Sequence, residues 1–598
     1  MINIKDFEWA KLKPVDDPAS EYDGFAPGRY ILPKGYVYEE GRRPFPVDTI
    51  LDRDVAVTLR DGTTIYVDVY RPIDSDTVKV PALLTWGPAG KRGRNNTLLE
   101  DKGGPLPKER QELLLSYIKQ GRDIDIRMGP PHGPIPFRLG IPKADTSGLQ
   151  AFECPDPAYW VSKGYAMVNA DPRGCYMSEG NVYHFGSLDA ADMYDTIEFL
   201  GVQPWCTGKV GTCGASWYAM TQWCLASTQP NPPHLAAIAP HEGEGDLYRD
   251  EYMRGGIPAC DGTTNAAGRT FGAGSIEDIS AMIKKYPLMN EYWEDKRWKF
   301  ENITVPVYEV ASYSSQMHCR GALDGFRKIS SKQKWLRIHN KQEWVDLWSQ
   351  FANDDLCRFF DHFLKGEDNG FEQTPPVRMA ILDPGGTDQL LVPADQYPPA
   401  GVRYQKFYLN PAGTLDSTPL CKEGSASYDA EHGACQVRFT MQFQEDTKVI
   451  GFPMIKFWAE CAGYDDMDVF ARITKTDAEG NPLYQDSVVF LYSGTEAKLR
   501  VSMRELDPEL STEFEPVQAF REVKKLKPGE IVPVELGFWP TGMQFHRGEC
   551  LELTLSGYDY APDYPFDRPN KKPDNHGIHI YHCGGKYDSF LALPILSE

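Results

Sequence analysis

Lys209-Val-Gly-Thr-Cys-Gly-Ala-Ser-Trp-Tyr218 reads as the end of a strand, a sharp turn and the start of a helix. Lys209 to Cys213 is a short β-compatible run, Gly214 permits a tight turn, and Trp217 to Ala226 is helix-compatible. A lone Gly-x-Ser is a weak signal, because serine in that setting is more often a helix N-cap or a turn residue. The placement raises its value here. A serine between a core strand and a helix is lifted above the sheet, and the next amide, that of Trp217, faces the place where an oxyanion would form. The second glycine usual in such turns is replaced by Tyr218.

Working outward, other apolar runs have the length of buried strands: Pro81 to Thr85, Tyr165 to Ala170, Leu235 to Ala239, Val305 to Val310 and Trp335 to Ile338. Leu188 to Leu200 has a helical pattern, and residues 53–71 alternate around an Asp-Gly turn as a hairpin does. Strands alternating with helices predict a mostly parallel sheet covered on both faces. Two segments interrupt the pattern: residues 92–150, rich in Gly, Pro and charge, and residues 241–303, which hold helix-compatible pieces and no convincing sheet strand. After about residue 376 short β-rich runs dominate: Arg403 to Leu409, Val437 to Gln442, Met454 to Glu460, Asp468 to Lys475, Ile531 to Gly537 and Cys550 to Ser556. They predict an antiparallel sandwich or jelly roll.

The 598 residues exceed one compact core, and a composition with 41% hydrophobic and 25% charged residues is that of a globular chain. A net charge of −22 repels phosphate backbones, which argues against a nucleic-acid partner. The 13 cysteines are scattered without Cys-x-x-Cys spacing, so a reducing compartment is the simpler reading. The N-terminal stretch lacks an apolar leader core and no run of 18 apolar residues occurs, so a cytoplasmic protein with no membrane partner is expected.

Several motifs in order resemble the cocaine-esterase and X-prolyl dipeptidyl-peptidase group of serine hydrolases. They are Asp156-Pro-Ala-Tyr-Trp-Val-Ser-Lys-Gly-Tyr165, Asp171-Pro-Arg-Gly-Cys-Tyr-Met-Ser-Glu-Gly180, Gln203-Pro-Trp-Cys-Thr-Gly-Lys-Val-Gly211, Phe359-Phe-Asp-His-Phe-Leu-Lys-Gly366, and two C-terminal stretches beginning at Pro528 and Gly584. The resemblance implies an α/β class chain: an α/β-hydrolase core with a helical cap insertion and a C-terminal all-β jelly-roll domain. The expected boundaries are core 1–240, cap 241–303, core 304–375 and β-sandwich 376–598. The resemblance also implies a small-molecule ester or amide substrate and no cofactor, and it leaves a homo-oligomer open.

The pattern breaks where the rest of a triad is expected. Ser314 stands in place of the acid, and Glu343 stands about where the histidine belongs. Two repairs are open. In the first, His318 is the base and Glu343 orients it, the two loops having exchanged roles. In the second, His339 is the base and another carboxylate, such as Asp324, orients it. Geometry rather than chain order defines a triad, which favours the first. An oxyanion tyrosine common in the group is also missing: Gly87-Pro-Ala-Gly-Lys91 puts Ala89 at its position. Loss of one such donor costs about 10²–10³ in turnover, so a backbone amide or another side chain must replace it, or turnover is slow.

Near this site, Trp86, Tyr218 and Tyr313 are candidates for lining an apolar substrate pocket. Glu242, in His241-Glu-Gly-Glu-Gly-Asp246, is a candidate for meeting a substrate ammonium, and His339 for touching substrate if it is not the base. A solvated acidic turn and simple core aromatics are the commoner outcomes. His576, His579 and His582 read as turn histidines rather than metal ligands, and no metal is expected. The leading expectation is a serine hydrolase acting through a Ser216 acyl-enzyme. Two alternatives stand beside it: acyl transfer, elimination or cyclisation in a repurposed pocket, and a ligand-binding jelly roll on a degenerate hydrolase.

Overall fold

The computed structural model describes residues 6–92, 142–258, 270–315, 317–486, 491–492, 494–558 and 575–597. Among them one mixed sheet carries the hydrolase core. Its strands are β1 (Gly28–Leu32), β2 (Thr49–Thr58), β3 (Thr64–Pro72), β4 (Val80–Trp86), β5 (Ala166–Asp171), β6 (Cys206–Ala215), β7 (Leu235–His241), β8 (Val307–Ser312), β9 (Lys334–His339), β10 (Val377–Ile381) and β11 (Gln389–Ala394). The spatial order is β11-β10-β9-β8-β7-β6-β4-β5-β3-β2-β1. From β5 through β4 to β10 all neighbours are parallel. The hairpin β2–β3 closes one side antiparallel and β11 closes the other.

Every expected core strand falls within or beside an observed one. The parallel strands can be apolar on both faces because helices cover both: β4, β5 and β8 are buried along their whole lengths. The covering helices include α1 (Pro157–Ser162), α2 (Ser187–Gly201), α3 (Trp217–Ser227), α4 (Cys319–Lys328), α5 (Glu343–Leu347) and α6 (Gln350–Phe360). Local chemistry starts several of them. Asp156 accepts from the Ala158 amide with Pro157 at the first helical position, and Ser349 accepts from the Ala352 amide.

Two expectations need correction. The sheet does not end at 375: β10 pairs with β9 and β11 with β10, so hydrogen bonding continues to Ala394. No helix separates β10 from β11, and a strand–turn–strand piece reads like the all-β region that follows. Residues 241–303 also contain a strand, Ser275–Glu277, paired antiparallel with Trp9–Lys11. The remaining described pieces there are short and helical, including Leu247–Tyr252, Ile279–Lys285 and Glu291–Glu294. Most of the excursion expected over 92–150 falls on residues 93–141, outside those described.

From Val402 the chain builds an antiparallel β-domain. Val402–Asn410 pairs with Phe590–Leu596, Gln436–Gln442 with Cys550–Ser556, and Met454–Ala462 with Val532–Gly537. The β-domain locks onto the hydrolase sheet just past β10, where the Leu382 amide donates to the Gly542 carbonyl and its carbonyl accepts from the Gln544 amide, both at 2.8 Å.

One close approach sets the position of α4. A Cβ on Gly321 would lie 2.3 Å from both the Gly243 carbonyl oxygen and the Gly245 nitrogen. These are backbone atoms of the segment after β7 and cannot rotate away. Gly321→Ala is therefore expected to lower stability by about 1–3 kcal/mol, the usual penalty for overpacking. Denaturant unfolding of the purified variant checks this, and wild-type stability would contradict it.

Candidate active site

Ser216 follows β6 at the N-cap of α3 with φ 56° and ψ −118°, a left-handed setting for a residue with a side chain. Such strain costs about 1–3 kcal/mol and persists only where neighbours hold it. Here the Ser216 amide donates to the carbonyls of His241 and Glu242, at 3.1 and 2.8 Å, and its own carbonyl accepts from the Ala219 and Met220 amides of α3. Gly214, at φ 133°, leaves room for Tyr218, whose Cβ would lie 2.5 Å and whose ring would begin 3.2 Å from a Cβ there. The strand, turn and helix form a nucleophile elbow. Trp217 opens α3, so its amide has no carbonyl within the helix to bond.

His318 caps the N-terminus of α4 and is buried. Its Nδ1 lies 2.9 Å from Glu343 Oε2, while its Nε2 has no hydrogen-bond partner among the described residues. Glu343 begins α5, and the Gln342 side chain accepts the Trp344 amide at 2.7 Å, which fixes that helix start. The two residues that exchange roles in the first repair are thus brought together. His339, the last residue of β9, is differently placed: its Nδ1 accepts from the Lys341 amide at 3.2 Å and its Nε2 lies 2.7 Å from Glu242 Oε1. Both its ring nitrogens face other groups. Asp324, the orienter in the second repair, instead bonds Arg327 and Lys328 on its own helix. Among the described residues no hydrogen bond joins the Ser216 hydroxyl to either imidazole.

Carboxylates surround His318. Glu242 Oε2 is 3.6 Å from its Nδ1, and Glu244 Oε1 is 3.8 Å from its Nε2. Both glutamates are fully buried. Backbone contacts hold this segment: Trp298 Nε1 donates to the Glu244 carbonyl at 2.7 Å, and the Gly245 and Asp246 amides donate to Asp250 at 2.9 Å. Burial alone would depress the His318 pKa, but Glu244, Glu343 and Glu242 outweigh it and lift the pKa well above 6.5. Burial lifts the carboxyls of Glu244 and Glu343. Glu242 is held low against its burial by His318 and His339.

The other predicted residues take varied places. Trp86 is a core residue whose Nε1 donates to Asp189 at 2.9 Å, and Tyr313 is buried against Gly542 of the β-domain, so neither is a pocket aromatic. Tyr218 is buried under Gly87, with its hydroxyl unpartnered. Glu242 faces imidazoles, so the solvated turn does not describe it. Ala89 is buried and brings no side-chain donor; its carbonyl accepts from Tyr176 Oη at 3.4 Å. His579 and His582 lie on the strand Ile578–Cys583 rather than in a turn, and each bonds its own partner, Tyr428 and Glu460.

Sequence reasoning passed over Asp346 and Arg337. Arg337 Nη1 and Nη2 bond the two Asp346 oxygens at 2.8 and 2.5 Å. An arginine inside an otherwise apolar core strand, two residues before His339 and so on the same face, is the signal that a buried acid lies nearby.

The likeness to known proteins runs over the whole chain. Residues 61–286 match the family model of the X-Pro dipeptidyl-peptidase (S15 family), and residues 369–592 match that of the X-Pro dipeptidyl-peptidase C-terminal non-catalytic domain. Cocaine esterase of Rhodococcus sp. is 36% identical over 129 residues, a stretch covering 21% of this chain and about a fifth, 22%, of that enzyme. An α-amino acid ester hydrolase shares the fold at 16% identity, with a TM-score of 0.63 over 91% of this chain and 96% of that one. A CocE/NonD family hydrolase from Staphylococcus aureus has a TM-score of 0.82 and 30% identity, covering 97% of this chain and 98% of that one. Similarity of that extent, end to end, is kinship: the chain belongs to the CocE/NonD family of hydrolases.

Proposed function

We propose that the protein hydrolyses an ester or amide bond of a small molecule or short peptide through an acyl-enzyme on Ser216. His318 takes the serine proton at Nε2 and returns it to the leaving group, and Glu343 holds Nδ1. The Trp217 amide, with main-chain donors of the loop at Ala89, meets the oxyanion. The observation that carries this reading is the pairing at His318: a carboxylate on Nδ1, and an Nε2 without a hydrogen bond among the described residues, beside the elbow. In unliganded enzymes catalytic hydrogen bonds are often long and tighten on substrate binding. Two inferences accompany it: the substrate is acyl-bearing, and the working site lies at the carboxyl ends of β6 to β9.

Ser216→Ala is expected to lower turnover of activated esters by about 10⁶-fold and to abolish labelling by a serine-directed phosphonate. His318→Ala should come close to that loss, and His339→Asn should fall well short of it. Unchanged turnover and labelling in Ser216→Ala would sink the scheme, and a reversed order of the two histidine variants would assign the base to His339.

The lifted pKa of His318 has a consequence for pH. A histidine acts as base only when neutral, so kcat/KM should rise with pH along a limb whose midpoint lies above 6.5. Glu244→Gln removes one of the charges that hold the proton, so the limb should move to lower pH. A pH–rate profile of both proteins tests the sign, and a limb that stays put or moves upward contradicts it. The same lifted pKa supports the alternative of elimination or cyclisation, since an imidazolium is a ready proton donor. Activity that survives Ser216→Ala and is lost in His318→Ala would select that alternative.

A further inference from the structure

The imidazoles of His241 and His339 converge over one strand. In the parallel ladder His241 sits beside Val310 and His339 beside Ser312, so both rings rise from the same face on either side of β8. Their centroids are 5.4 Å apart. Both residues are buried; among the described residues His241 Nε2 has no hydrogen-bond partner, while His339 Nε2 faces Glu242 Oε1 at 2.7 Å. A buried ring nitrogen without a partner, as at His241, is uncommon in folded proteins and calls for a ligand. Asp346 supplies a carboxylate to the same spot, its Oδ2 lying 3.8 Å from His241 Nε2. One ligand atom from each of His241, His339 and Asp346 can be chosen so that all lie within 4.8 Å of one another.

We propose that His241, His339 and Asp346 form a site for a first-row divalent transition-metal ion, bound through the two Nε2 atoms and Oδ2. Metal bonds of about 2.0–2.2 Å keep ligand atoms within about 4.4 Å of one another, so small side-chain rotations complete the shell. Two imidazoles with a carboxylate suit zinc, iron or cobalt better than magnesium or calcium, which prefer oxygen alone. Arg337 grips both oxygens of Asp346, the kind of outer hydrogen bonding that orients ligating carboxylates. There are two local costs, and the first is that His339 Nε2 must leave Glu242 Oε1, now 2.7 Å away. A ring that binds through Nε2 carries its proton on Nδ1, so the Lys341 amide, now 3.2 Å from His339 Nδ1, must turn aside. Lys341 is exposed, where such a turn meets little resistance.

The ion would brace the floor of the active site. It would tie together the end of β7, whose His241 carbonyl holds the Ser216 amide, the end of β9, and α5, which carries Glu343. The site does not depend on Ser216 being a nucleophile.

The test uses the full chain, stripped with a chelator and titrated with Co²⁺, read by visible d–d absorption and by thermal unfolding. The expected result is saturation at one equivalent with a rise in unfolding temperature. His241→Ala and His339→Ala should each lose both responses, and Ser216→Ala should keep both. The glutamine variants replace either alanine variant that does not fold. Absence of saturable cobalt binding in the wild-type chain overturns the site. So does a wild-type titration in a folded variant lacking both histidines. Since Ser216→Ala leaves the readout intact, failure here is distinct from failure of the acyl-enzyme scheme.

Discussion

The Ser216 amide donates to two successive carbonyls, those of His241 and Glu242, and the rest of the site depends on this forked bond. It pins the strained turn to the end of the neighbouring strand. It also fixes where the chain leaves β7, with Glu242 itself at φ 56°. The segment that follows then delivers Glu242 and Glu244 to opposite nitrogens of His318. The elbow and the acidic segment are therefore one mechanical unit. Movement of either would shift Ser216 relative to His318.

The second organising feature is the amount of charge buried at the carboxyl ends of β7 to β9. Glu242, Glu244, Glu343 and Asp346 are all removed from solvent, beside three imidazoles and Arg337. Buried carboxylates are tolerated only when paired, hydrogen-bonded or protonated. Arg337 holds Asp346 ionised against its burial, His318 and His339 do the same for Glu242, and at Glu244 burial raises the carboxyl pKa while His318 opposes it. His318 stands between the carboxylates, and their charge raises its pKa. An imidazole embedded in this way is tuned by its neighbours rather than by solvent, which sets this site apart from one with a single carboxylate beside the ring.

Much of the fold was legible because its signals are local. The run Lys209 to Cys213, the glycine at 214 and the helix from Trp217 place the elbow without any long-range information. Fully apolar runs such as Pro81 to Thr85 mark strands covered on both faces. The end of the sheet was not legible. β10 and β11 have no helix between them, and only their pairing with β9 shows which sheet they join. The aromatic assignments failed for a similar reason. Trp86 and Tyr313 stand near the site in sequence, but strand alternation and the β-domain at Gly542 turn them into the core.

Sequence by itself determined the fold class and marked Ser216 as the candidate nucleophile, because periodicity, turn chemistry and motif order are written along the chain. It also left His318 and His339 as the candidate bases, since few histidines follow the right strands. Only tertiary structure decided their surroundings. His318 meets Glu343 across 25 residues, and His241 meets His339 across a strand that neither belongs to. Convergence of parallel strands at their carboxyl ends makes these meetings, and spacing along a single chain carries no trace of which side chains will share the space above a strand.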